Sequence, residues 1–224
     1  MHTTIKIDKS LNYQKVELEN DCYIELMWLT PELKQYVKEN FNTMFSLHPP
    51  HRHKIISFEE EIETNRWSQS YMNTPCVDHE YVKKNSYMYS GFDTTSNNQE
   101  LPSVFQPLYQ HIQTIDTRYN QCIVNWYQDK LDNIAMHSDC QRCMSPDAKI
   151  AVISIYPSDD VNQVRQMKIK SKVSDQNLRL DMHNGMILVF SPKMQDYYRH
   201  GIGSDPKGEQ GPRISVSFRQ IESK

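Results

Sequence analysis

Arg213-Ile214-Ser215-Val216-Ser217-Phe218-Arg219 alternates without exception: its odd positions are polar or charged and its even positions apolar. Side chains on a strand change face at every residue, so this segment turns three apolar groups to one side and two arginines and two hydroxyls to the other. One face is built to pack and the other to bind. Guanidinium stays charged and grips a carboxylate bidentately, so the polar face suits a small dicarboxylate. At ~3.3 Å per residue the two arginine Cα atoms lie roughly 20 Å apart, and both side chains must lean inward to share one ligand.

Upstream of this strand, short apolar runs between turn signals predict strands at 121–127, 133–138, 149–156, 165–173, 178–182 and 186–190, with Asn184-Gly185 as a tight turn. Such a series without alternating helices points to a sandwich or jelly roll. The stretch Cys22 to Leu29 also reads as a strand. Thr30-Pro31-Glu32 then supplies an N-cap, a first-turn proline and a first-turn acid for a helix carrying Leu33, Tyr36, Val37, Phe41, Met44 and Phe45, which stops at His48-Pro49-Pro50. A second helix is expected from Pro107 to Tyr119, with Leu108, Ile112 and Ile115 on one face. Residues 48–100 read as loop-rich.

With 224 residues, the chain suits one domain with a substantial core. It has no apolar run approaching the ~20 residues of a membrane-spanning helix. The N-terminus lacks the features of a secretory signal, and five cysteines form an odd set without framework spacing, so a cytoplasmic or nuclear protein is expected. Cys140-Gln141-Arg142-Cys143 has zinc-like spacing but no second pair, and reads as free thiols. His48, His51 and His53 flank two prolines and read as a polar loop. The net charge of −3 means that any polyanion must be met by a local basic patch. Lys168, Lys170 and Lys172 alternate with Met167, Ile169 and Ser171, which places three ammonium groups on one strand face, either a basic track or a solvated sheet face.

In Met136-His137-Ser138-Asp139 an imidazole and a carboxylate stand two residues apart, and on a strand they share a face and can share a metal ion. A non-haem iron(II) oxygenase needs two histidines and one carboxylate on one face of an octahedron, so a distant second histidine must complete the set.

The run from Asn125-Trp126-Tyr127 to His137-Ser138-Asp139 resembles the Asn-x-Tyr segment and His-x-Asp motif of the AlkB family. Leu178 to Phe190, Tyr198-Arg199-His200-Gly201 and Arg213 to Arg219 are similar to that family's later strands, distal histidine and closing two-arginine strand. Tyr87-Met88-Tyr89-Ser90-Gly91-Phe92 looks like its aromatic-Ser-Gly segment. The matches keep family order across residues 87 to 219. The resemblance implies a mainly β (α+β) double-stranded β-helix, or jelly roll. Residues 1–100 would form an N-terminal helix and substrate-covering segment, and 101–224 the catalytic core.

By the same resemblance, His137, Asp139 and His200 hold Fe(II), and Asn125, Tyr127, Arg213, Ser215 and Arg219 contact 2-oxoglutarate. Arg213 takes the far carboxylate and Arg219 lies toward the iron. Ser215 stands where several relatives carry Asn, Lys130 replaces a common glycine, and Gln141 occupies a position where several relatives place a base-reading acid. The expected activity is oxidative demethylation of N-alkylated bases in DNA or RNA with O2, releasing succinate, CO2 and formaldehyde, by a monomer acting on single-stranded or flipped bases. Trp67, Tyr71, Tyr87 and Tyr89 are the expected aromatic pocket, and Gln141 the expected base contact. A 2-oxoglutarate hydroxylase of a protein or small molecule is the alternative, and a non-catalytic binding module a third reading.

Overall fold

The computed structural model describes residues 2–57, 60–72, 88–89, 92–93, 99–141 and 144–221, with the backbone alone at 56–57, 72, 88–89 and 92–93. The chain begins with β1 (Thr3–Thr4), β2 (Tyr13–Glu17) and β3 (Tyr23–Trp28), followed by helices α1 (Pro31–Glu39) and α2 (Phe41–Phe45). Short strands β4 (Lys54–Ser57), β5 (Glu60–Glu63), β6 (Trp67–Met72), β7 (Met88–Tyr89), β8 (Phe92–Asp93) and β9 (Gln99–Glu100) come next. Helix α3 (Gln106–Ile115) leads into β10 (Gln121–Tyr127), β11 (Ile134–His137), β12 (Ile150–Ile155), β13 (Arg165–Ser171), β14 (Asn177–Met182) and β15 (Met186–Phe190). A single turn, α4 (Met194–Tyr197), precedes β16 (Tyr198–Ile202) and β17 (Arg213–Arg219).

Two sheets face each other. The large one has the order β2-β3-β15-β12-β17-β10-β6-β9 and the small one β1-β14-β13-β16-β11. Strands β10 to β17 pass back and forth between them, except that β13 and β14 form a hairpin within the small sheet, and their pairings with one another are all antiparallel, which is the jelly-roll arrangement. The first hundred residues do more than cover this core, because β2, β3, β6 and β9 extend the large sheet at both ends. Strand β6 was not legible as a strand: Ser68, Gln69 and Ser70 interrupt its apolar pattern, yet it pairs with β10 along Trp67–Met72.

The large sheet buries both faces. On one, Val124, Trp126, Ile153, Ile187, Ile214, Val216 and Phe218 pack against Val37, Phe41 and Met44 from α1 and α2 and Leu108 and Ile112 from α3. On the other, Val152, Leu188 and Phe190 meet Met167, Ile169, Leu180 and Ile202 of the small sheet. Helix α1 starts as expected, with Thr30 Oγ1 accepting from Leu33 N at 3.3 Å and Pro31 in the first turn. The single helix expected through Phe45 is broken at Asn40, whose Nδ2 donates to the Tyr36 carbonyl at 2.9 Å. Helix α3 stops before Tyr119 because Asp116 is extended. Gly185 has φ +71°, the conformation the Asn184-Gly185 turn requires.

Candidate active site

Register builds the pocket floor. Strand β17 runs at the centre of the large sheet between β10 and β12, where Tyr127 lies opposite Arg213, Asn125 opposite Ser215, and Ser154 opposite Ser215 on the other side. Its apolar positions Ile214, Val216 and Phe218 enter the helix-side core, so Arg213, Ser215, Ser217 and Arg219 point between the sheets. The small sheet supplies the opposite wall, where His137 of β11 pairs with His200 of β16. Asn125, Tyr127, His137, Asp139, His200, Arg213, Ser215 and Arg219 all line this one pocket.

At one end, His137, Asp139 and His200 place one ligand atom each within 4.8 Å of the others. His137 Nε2 stands 3.5 Å from Asp139 Oδ1 and His200 Nε2 3.9 Å from Asp139 Oδ2. The two imidazole centroids are 4.5 Å apart. Strand β11 ends at His137, so a two-residue strand period does not bring Asp139 into place. A hydrogen bond does: Asp139 N donates to Gln195 Oε1 at 2.8 Å. His137 is oriented by Nδ1 against the Ala135 carbonyl at 2.9 Å. Gly201 lets the two strands close, since a Cβ there would stand 2.8 Å from the Ile134 carbonyl oxygen and 3.0 Å from that of Ala135.

Burial pushes the His200 imidazole down to about 3, helped by neighbouring His137, so its nitrogen lone pair stays available to a cation. Burial opposes charge on Asp139, but Arg219 and a hydrogen bond with His137 prevail and hold its carboxyl well below the usual range. Two imidazoles and one ionised carboxylate match the donor set of a mononuclear iron(II) site with open positions.

Arg213 is fully buried, donates from Nη2 to Ser154 Oγ at 2.7 Å and lies over the Tyr127 ring at 5.1 Å. Its Nε and Nη1 have no hydrogen-bond partner among the described residues, an unmet demand that a carboxylate in the pocket satisfies. Arg219 is engaged differently, with Nη2 3.2 Å from Asp139 Oδ1 and Nη1 donating to Ser217 Oγ at 3.2 Å. It sits at the His137–Asp139–His200 end of the pocket, beside the Asp139 carboxylate.

Other expectations fare differently. Gln141, the expected base contact, does not line this pocket: β11 ends at His137, and the Gln141 Nε2 donates to the Pro192 carbonyl at 2.8 Å. Tyr71 is a core residue, and Trp67 stacks on His48 at 4.1 Å beside the helices, so neither forms an aromatic base pocket. Tyr87 lies outside the described residues, and Tyr89 is described only as backbone in β7. Cys140 is a free thiol; Cys143 lies outside the described residues.

Three supporting residues were not legible beforehand. Arg66 Nε donates to Asn125 Oδ1 at 2.9 Å, which leaves the amide Nδ2 as the donor toward the pocket. Arg165 lies over Tyr127 at 5.5 Å and binds the carbonyls of Asp129 and Gly203, each at 3.0 Å, and that of Asp132. Gln195 holds Asp139, as described. The only hint in the sequence was the regular apolar alternation of Met167 and Ile169 after Arg165, which marks an inward-facing position.

A family model for the 2OG-Fe(II) oxygenase superfamily matches residues 25–219. The chain belongs to this superfamily. DNA oxidative demethylase ALKBH2 of Mus musculus is 24% identical over 148 residues, covering 61% of this chain and 57% of the relative. Its Homo sapiens counterpart is 25% identical over 140 residues, covering 61% and 52%. The chain thus spans little more than half the length of these curated relatives. A 105-residue stretch is 28% identical to part of the RNA-directed RNA polymerase of Lolium latent virus (isolate Lolium/USA/US1/-), covering 47% of this chain and 5% of that protein. The solved structure of OsALKBH1 superposes with a TM-score of 0.52 at 14% identity, over 88% of this chain and 97% of that one, which shows a shared fold. The AlkB resemblance read from the sequence agrees with these relatives.

Proposed function

We propose that this 2OG-Fe(II) oxygenase removes alkyl groups oxidatively from N-alkylated nucleobases in DNA or RNA. The observation that carries the catalytic part is one pocket holding three convergent ligand atoms at one end and, at the other, a buried Arg213 with two nitrogens that have no partner among the described residues. The naming of the ALKBH2 relatives as DNA oxidative demethylases supports the substrate class.

His137, Asp139 and His200 would hold iron(II), His200 through a neutral imidazole and Asp139 as the anion. Arg213 would grip the far carboxylate of 2-oxoglutarate with the nitrogens that Ser154 leaves open, while Tyr127 packs beneath its guanidinium. Asn125, steered by Arg66, and Ser215 line the path between the two ends. With O2 and this cosubstrate, bound iron supplies the oxidation that hydroxylates an N-alkyl carbon, after which the product breaks down to an aldehyde and the free base. Burial of Asp139, His200, Arg213 and Arg219 keeps bulk water from these charges and strengthens their contacts.

The test is aldehyde release from a panel of N-methylated oligonucleotides, N-methylated peptides and methylated nucleosides, with iron(II) and 2-oxoglutarate present. Formaldehyde from nucleobase substrates and none from peptides supports the reading; the reverse order assigns the same pocket to a protein or small-molecule hydroxylase.

A further inference from the structure

The outer face of the small sheet carries a charge array that the pocket does not use. Opposed residues of an antiparallel pair share a face, so Lys168 stands against Arg179 of β14, and Lys170 against Arg199 of β16. Lys168, Lys170 and Arg199 are exposed and Arg179 is half-buried. None of the four forms an ion pair among the described residues, and Arg179 Nε is buried without a hydrogen-bond partner. The field of Arg179, with Lys168 adding to it, depresses the exposed His2 imidazole nearby.

Few acids offset this. Asp181, on the same face of β14, accepts from Gln166 Nε2 at 2.9 Å, and Asp196 lies near Lys172, whose Nζ is tied to the Gln195 carbonyl at 2.7 Å. Like charges directly opposite one another weaken a sheet. Two such pairs on neighbouring strands of a chain with net charge −3 are a local cost to folding, and a polyanion resting on the face removes it.

The face is also close to the pocket. Ile169 and His200 are paired on the inner side, and the four cations stand on residues flanking that row or across from them. The sheet ends at β11, one strand beyond Arg199, two beyond Lys168 and Lys170 and three beyond Arg179, so the cations stand roughly 5 to 15 Å from that edge. We propose that Lys168, Lys170, Arg179 and Arg199 bind the phosphate backbone of a nucleic acid beside the base presented to the metal pocket. This rests on the nucleobase reading above, but it concerns a separate surface and a separate measurement.

Binding of a labelled, unmethylated single-stranded oligonucleotide, followed by anisotropy across a salt series, tests it without any chemistry. K168Q/R199Q should bind about tenfold more weakly near 0.1 M salt and lower the slope of log K against log salt by about 1.4, two single-strand phosphate contacts. K170Q/R179Q should do the same. Both should match or exceed the wild-type urea midpoint, since each removes cross-strand repulsion. Unchanged affinity and slope in both variants overturns the proposal, as does loss of binding to phosphatidylserine vesicles with oligonucleotide binding intact, which would make the face a lipid surface. Demethylation of a free methylated nucleoside by the wild type is independent of this face, so the failure of one reading does not entail the failure of the other.

Discussion

At the residue scale, Arg213 shows why side-chain chemistry and not charge alone decides the site. Its Nη2 is taken by Ser154, its face by Tyr127, and two nitrogens remain for a ligand. Lysine keeps the charge but has no planar fork, so Arg213→Lys should weaken 2-oxoglutarate binding by about 1–3 kcal/mol, read by calorimetric titration of the manganese(II)-loaded protein. Unaltered affinity would move the carboxylate contact elsewhere. Arg66 acts one step back. Arg66→Leu frees the Asn125 amide to rotate, and the KM for 2-oxoglutarate should rise severalfold, with Asn125→Ala adding little on top of it, because coupled residues are not additive. Full additivity of the two changes would separate them. The sequence offered Arg213 and Arg219 through strict alternation and His137 and Asp139 through a short motif, whereas His200 came only with the family resemblance. It could not show Arg66 or Gln195, which reach the site through tertiary contacts with no period of their own, and for Arg165 the alternation of β13 marked an inward position but not its partners.

At the element scale, legibility followed the regularity of the pattern. Strands β10, β15 and β17 have the boundaries read from the sequence, since each is a clean apolar or alternating run. Strand β16 was missed although it carries His200: Arg199 and Gly201 interrupt its apolar character, and the single turn of α4 precedes it directly. The glycine that obscured the strand is what the strand needs. A methyl at Gly201 meets the backbone of β11, which cannot swing aside as a side chain would. Gly201→Ala should therefore cost about 1–3 kcal/mol in urea unfolding and part His200 from His137, lowering affinity for a divalent metal as well. A neutral result on both would mean that β11 and β16 separate freely. Gln141 departs from its expected role for a related reason, since β11 ends four residues before it and its amide is engaged by the Pro192 carbonyl.

At the scale of the whole molecule, the two sheets hold a neutral imidazole and an ionised carboxylate between them, and this sets how the metal-free protein responds to pH. The His200 value falls from its ordinary 6.5 to about 3 in the folded state. Above about 6.5 both folded and unfolded chains carry it neutral; below that, the unfolded chain takes up a proton that the folded one refuses. Stability is therefore lost as pH falls from about 6.5 toward 3, and Asp139, with its carboxyl held low, acts in the same direction in the acid part of that window. Urea midpoints of chelator-treated protein at pH 7.5 and pH 5 should show the drop, and His200→Leu should make it shallower. A midpoint that rises on acidification contradicts this. His200 thus does not itself set an acid limit on metal binding near neutrality, contrary to what an ordinary histidine value suggests.

On the proposed function, His137, Asp139 and His200 together support 2-oxoglutarate-dependent oxidation at one metal. The most direct measurement is succinate and formaldehyde formed together, by mass spectrometry, from aerated protein, iron(II), 2-oxoglutarate and an N-methylated single-stranded oligonucleotide. Wild type should release the two in near-equal amounts, with none when iron or 2-oxoglutarate is withheld, and Asp139→Ala should release neither. Succinate formation by Asp139→Ala at the wild-type rate, or iron-independent formaldehyde release by the wild type, would contradict the account.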